Sequence, residues 1–188
     1  MPLHRSPAWL FAILGLAQPA QAERIPPFAA QFGIWAVRCD QCNDDEESIC
    51  ALSGRTGSGW LVLRPIGDET EPVPPLAMEY LPVRELRFET RGTLSVTVDD
   101  LALATLADPD IVYLAMSGGL YVEAPATAAL LPTLRAGRTL GMTFRDEDGA
   151  QSAAFPLDGF DAALRAMMAQ LPIPRPTAAE RAAFGCEG

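Results

Sequence analysis

The residues of this chain best suited to chemistry are its four cysteines, Cys39, Cys42, Cys50 and Cys186. Most other catalytic side chains are missing. The single histidine is His4, and all fourteen basic residues are arginine. His4 sits in a segment that reads as a removable leader, so the mature chain has no imidazole. That excludes Ser-His-Asp and Cys-His catalysis and every histidine-bearing zinc site. The lack of lysine excludes a Schiff base, a Ser-Lys dyad and a phosphate-loop lysine. Thiols and paired carboxylates remain, and nothing in the sequence singles out a carboxylate pair.

Three readings of the cysteines compete. An even number in an exported protein reads first as two disulfides, for which three connectivities exist. Cys39–Cys50 with Cys42–Cys186 is the favoured pairing. Cys39 ends one expected strand and Cys50 lies in the next, and Cys42 is then left to hold the C-terminal tail. The second reading is redox, because Cys39-Asp40-Gln41-Cys42 is a C-x-x-C motif. A reactive thiol needs positive surroundings. Here Asp40 lies inside the motif and Asp44, Asp45, Glu46 and Glu47 follow it, opposed only by Arg38. The third is metal. Four thiolates suit zinc, but Cys186 is a distant lone ligand. The acidic run 43–47 lacks EF-hand spacing, and Asp146-Glu147-Asp148-Gly149 lacks the closing glutamate. No cofactor is expected. Trp35 and Trp60 have the character of sugar-stacking residues, although strand tryptophans more commonly fill a core.

The leader follows from the first 22 residues. His4 and Arg5 give a basic start, Ala8 to Ala17 is a compact apolar run, and Ala20-Gln21-Ala22 presents small residues to a signal peptidase. The run is about half the roughly 20 residues that a membrane helix needs. Cleavage is expected between Ala22 and Glu23, leaving residues 23–188 without a membrane span. The formal charge is −10, and loss of Arg5 makes it more negative by one. Such acidity argues against nucleic acid and against a polybasic grip on lipid. An apolar content of 49% excludes wholesale disorder.

The elements that must position these residues are mostly short strands. Ile34–Cys39 places Trp35, Val37 and Cys39 on one side. Strands are also expected over 49–53, 60–66, 86–90, 93–98, 111–116, 120–123, 139–145 and 151–157. Their turns are Gly57-Ser58-Gly59, Arg91-Gly92, Ser117-Gly118-Gly119 and Asp148-Gly149. Gly67–Pro75 reads as a surface loop, and Leu101–Leu106 carries no clear assignment. One helix is expected over 126–135, closed by Gly137. Asp158 is expected to cap a second, with Asp161 in its first turn. Phe160, Ala163, Leu164, Met167, Met168 and Leu171 form its apolar stripe, the methionine pair reading as core filler. Pro172 stops it. A Pro-rich tail follows over 172–188, in which Thr177 and Glu180 form a capping box. The expected fold is a single mainly β domain over 23–171, a β-sandwich or jelly-roll-like core with two or three short helices.

Several of these segments resemble the invasion-associated locus B family. Phe32-Gly33-Ile34-Trp35-Ala36-Val37-Arg38-Cys39 is similar to its opening F-G-x-W-x-V-x-C signature, with Cys50 as the following cysteine. Gly119–Ala124 leading into Leu130–Arg138 is similar to its short helix ending in a basic-Gly-basic turn. Phe155–Leu164 resembles its closing strand and S-L-x-G-F-x-x-A-L pattern. The resemblance runs to about residue 171. It departs at Met116-Ser117-Gly118-Gly119-Leu120, which has no cysteine where the family carries one, and Cys42 and Cys186 are extra. The segment 76–91 also departs from the family's middle.

The resemblance implies an exported β-sandwich protein, periplasmic, secreted or attached at the outer surface. The founding members are linked to host-cell invasion, and other members occur in bacteria that invade nothing. It carries over no catalytic residues. The expectation is a non-enzymatic protein that binds a protein or envelope component. The alternatives are a redox protein acting through Cys39 and Cys42, and a cation- or glycan-binding module.

Overall fold

The computed structural model describes residues 28–39, 50–66, 74–83, 92–114, 118–146 and 149–171. The expected leader with its expected Ala22–Glu23 cleavage point, the acidic run 43–47, the expected strand 86–90 and the segment 172–188 lie outside them.

Period-two alternation builds the first sheet. In β2 (Trp35–Cys39), Trp35, Val37 and Cys39 are buried and Arg38 is exposed. β3 (Cys50–Thr56) buries Cys50, Leu52 and Gly54 opposite them, in the register Cys39↔Cys50, Val37↔Leu52 and Trp35↔Gly54. Glycine at 54 makes room for the indole, since a Cβ there would lie 2.5 Å from the Trp35 ring. β1 (Phe28–Phe32) turns through Gly33 to pair with β2. β4 (Gly59–Pro65) and β5 (Leu76–Pro82) continue the meander. β6 (Leu94–Val98) and β7 (Leu101–Leu106) form a hairpin whose turn residues Asp99 and Asp100 have positive φ, as a type I′ turn requires. Then come β8 (Ile111–Leu114), β9 (Gly119–Val122), α1 (Ala124–Ala136), β10 (Thr139–Asp146), β11 (Gly149–Pro156) and α2 (Phe160–Met168).

All pairings are antiparallel. One sheet has seven strands in the order β1-β2-β3-β4-β5-β9-β8, and the other has four in the order β11-β10-β6-β7. The sheets bury one core between them, so the β-sandwich expectation holds. Trp35, Leu52, Leu61, Leu63, Met78, Tyr80 and Leu120 meet Leu94, Val96, Leu140, Met142, Phe144 and Phe155 within it. Aromatic edges organise it: Trp35 stands edge-on to Phe160 at 4.9 Å, and Tyr80 edge-on to Phe155 at 6.0 Å. The polar tips of Trp35 and Tyr80 are both satisfied. The Trp35 indole N–H donates to the Pro156 carbonyl at 2.9 Å, and the Tyr80 hydroxyl donates to the Ser58 carbonyl at 2.7 Å. Burial pushes the Tyr80 phenol up, partly offset by its hydrogen bond at Ser58.

Four strands cannot cover seven, and the helices complete the cover. α2 packs on β1, β2 and β3, while α1 packs on β5 and touches α2 and β7. The apolar stripe of α2 is as expected: Phe160, Ala163, Leu164 and Met167 are buried. Met167 is core, and Met168 is only partly covered. The cap is not as expected. Asp158 makes no capping bond; the N-cap is Gly159, at φ 83° with no side-chain cap. Its Cβ-less backbone lets the Phe32 carbonyl approach, because a Cβ would sit 2.5 Å from that oxygen. α1 starts earlier than expected, at Ala124, with Pro125 in its first turn. Pro132 inside it leaves the Ala128 carbonyl without a helical N–H partner. Gly137 does close α1, its N–H donating to the Thr133 carbonyl.

Three strands were missing from the sequence reading: β1, β5 and β7. β5 has no alternation to find, because Leu76 to Tyr80 are buried without a break. Among the described residues, no helix is long and apolar enough to cross a membrane.

Candidate binding surface

The cysteines are the first test of the expected chemistry. Cys39 and Cys50, directly opposite on β2 and β3, form a disulfide. Both are nearly fully buried, at 4% and 1% exposure. Thiol exchange needs an attacking thiolate to reach a sulfur, and here the inner face of the sheet shields both. A Cys39–Cys42 bridge is therefore not formed. Cys42 and Cys186 lie outside the described residues. Among the described residues, no three His, Cys, Asp or Glu side chains converge as a metal site.

The two tryptophans of interest part company. Trp35 is fully buried in the core, and Trp60 is 45% exposed. Alternation explains the split. Leu61 and Leu63 of β4 face the core, so Trp60, Val62 and Arg64 must face outward. The register then defines a row across the outer face of the seven-stranded sheet. Arg55 of β3 pairs with Trp60 of β4, and Trp60 with Leu81 of β5. The Arg55 guanidinium lies over the Trp60 ring, 5.3 Å from its centroid. Such cation–π stacking holds both side chains in one place and leaves the guanidinium edge to bind an acceptor.

The next rows on the same face carry more arginine. Val62 pairs with Glu79, and Glu79 with Tyr121. Arg64 bonds Glu79 diagonally across the strands, and both side chains are largely covered, at 22% and 10% exposure. Arg38, on the outward side of β2, is exposed. The outward charges of the described strands in this sheet are thus Arg38, Arg55 and Arg64 against the single carboxylate of Glu79. In a chain of net charge −10 this is a local reversal of sign. It places hydrogen-bond donors and an aromatic face together on a rigid sheet, suited to acidic groups borne on flat, weakly polar surfaces such as sugar rings.

Sequence reasoning had marked Trp60 and had missed Arg55. The signal was present. A hairpin closed by Gly57-Ser58 sets residue 55 opposite residue 60, as the register shows. The turn is further tied by a hydrogen bond between the Thr56 and Ser58 hydroxyls at 2.8 Å.

Comparison of the chain with protein-family models, with curated proteins and with solved structures finds no match.

Proposed function

We propose that this is an exported, periplasmic, non-enzymatic binding protein of the invasion-associated locus B type. It holds an acidic component of the cell envelope on the outer face of its seven-stranded sheet. The observation that carries this reading is the Arg55–Trp60 platform, exposed and basic on an otherwise acidic chain. The leader-like N-terminus supports export, and the order of the family-like segments supports the family. The absence of histidine and lysine from residues 23–188 supports binding rather than catalysis. A buried Cys39–Cys50 bond favours a staple over a redox site.

The test is co-sedimentation of the mature protein with isolated envelope from its own cell, at low and high salt. Wild type should pellet at low salt and release as salt rises, because screening weakens charged contacts. Trp60→Ala and Arg55→Gln should each weaken binding about tenfold, as loss of a central aromatic or arginine anchor does. Equal pelleting of wild type and both variants would remove the platform from the function. N-terminal sequencing of periplasmic protein should begin at Glu23.

A further inference from the structure

A second concave surface lies away from the outer sheet face, where the two helices meet. Much of α1 from Ala128 to Arg135, the C-terminal half of α2 and the start of β5 border an open groove of about 730 Å³. Its floor and walls are apolar, from Leu76, Leu131, Leu164 and Met168, with Pro74 and Pro75 at one side. Polar groups enter only at one place. Arg135 of α1 and Arg165 of α2 both line the groove and both bond the Asp161 carboxylate. Arg135 uses its Nε, at 2.6 Å to Asp161 Oδ1, and Arg165 uses one terminal nitrogen on Oδ2.

Among the described residues, this arrangement has an uncompensated charge. Two guanidiniums share one carboxylate, so the described residues leave the mouth of the groove with a net positive charge of one. Asp161 occupies one N–H of each arginine. Among the described residues, the other N–H groups of both have no partner. Asp161 also holds the two forks in place, so little side-chain entropy is lost when they close on a second anion. The volume falls within the roughly 300–1,000 Å³ of small-molecule sites. An apolar trough that ends in one spare positive charge is complementary to a molecule with the same polarity pattern reversed.

We propose that the α1–α2 groove binds a small amphiphile, with its hydrocarbon chain along Leu131, Leu164 and Met168 and its single anionic head at Arg135 and Arg165. The head is a carboxylate, as in a fatty acid, or a phosphate monoester, as in a lipid fragment; both satisfy the guanidinium edge.

Calorimetric titration of the purified mature protein with dodecanoate, dodecyl phosphate and dodecanol, each below its micelle concentration, tests this. One molecule of dodecanoate or dodecyl phosphate should bind per chain, and the tighter of the two identifies the head group. Dodecanol should bind at least tenfold more weakly. Arg135→Gln should cut the affinity for the anion about tenfold and leave dodecanol unchanged. Ala128→Trp, at an exposed position of α1 on the groove wall, should block all three ligands. Circular dichroism melts confirm that each variant folds. Equal affinity for dodecanol and the anions would overturn the proposal. So would several molecules bound per chain, undiminished binding to folded Ala128→Trp, or no heat with any ligand. Trp60→Ala should bind the amphiphiles normally, which separates this site from the outer face.

Discussion

At the scale of single residues, Asp161 shows how position converts a surface acid into a fixed part. The Arg135 hydrogen bond, with the charges of Arg135 and Arg165, holds its carboxyl below the usual carboxylate range, against a smaller opposing effect of burial. A depressed pKa in the folded state means that the stabilisation is present above the unfolded value, near pH 4, and is lost as pH falls through the folded value. Asp161→Asn should therefore melt below wild type at neutral pH, and the gap should close as the pH drops below about 4. The gap should be small, because the three side chains are 29–65% exposed and water screens them. Thermal melts of both proteins across pH 2 to 7 measure it, and a gap that widens in acid would show that Asp161 is not held this way. Asp161 was expected near the start of a helix, which is where it lies. Arg165 is its i+4 neighbour on the same helix and was within reach of the sequence, but Arg135 was not, because it is distant in the chain and reaches Asp161 only when α1 and α2 pack together.

At the scale of elements, the entry to α2 is a tight junction, closed by backbone on backbone. Gly159→Ala places a side chain at φ 83° and against the Phe32 carbonyl. Both effects act on the folded state, so the loss should be at least about 2 kcal/mol by urea unfolding. Gly57→Ala, where a Cβ meets nothing within 4 Å, should change stability little and serves as the control. The same junction shows what periodicity can and cannot reveal. The stripe Phe160–Ala163–Leu164–Met167 was readable, because one face of α2 meets the core and the other meets water. The cap was misread, since Asp158 has the right side chain but Gly159 has the backbone that the turn needs. β5 escaped for a related reason: both its faces are covered, so alternation vanishes. β7 was obscured in the opposite way. Leu101 and Ala102 are exposed on an edge strand, and the register shift in its pairing with β6 breaks the period.

At the scale of the whole molecule, the Cys39–Cys50 bond ties together two strands that already pair. It closes a short segment, with a separation of 11 residues. Removing it through Cys39→Ala with Cys50→Ala should cost about 3 kcal/mol, mostly by freeing the unfolded chain. Chemical denaturation of the double variant checks this, and unchanged stability would mean that the sheet alone sets the register. The β-sandwich class was legible because eight of the strands carry a clear signal and no helix is long. The candidate surface was legible only as a single residue, Trp60. A platform depends on which residues the register brings alongside, and charge reversal on one face is invisible in a net charge.

The division of cover between the small sheet and α2 has a consequence in time. A chain that emerges N-terminus first makes β1 to β3 early, and these strands pair with their immediate neighbours. Their inner face carries Trp35, Val37 and Leu52. The elements that pack on this face, β11 and α2, are the last two in the described chain. The strands born first are thus sheltered last, and for most of its emergence the protein shows an oily, half-built sheet to its surroundings. Its vulnerability to aggregation or proteolysis is greatest just before α2 arrives, and an early Cys39–Cys50 bond would hold the strand pair in register through that interval.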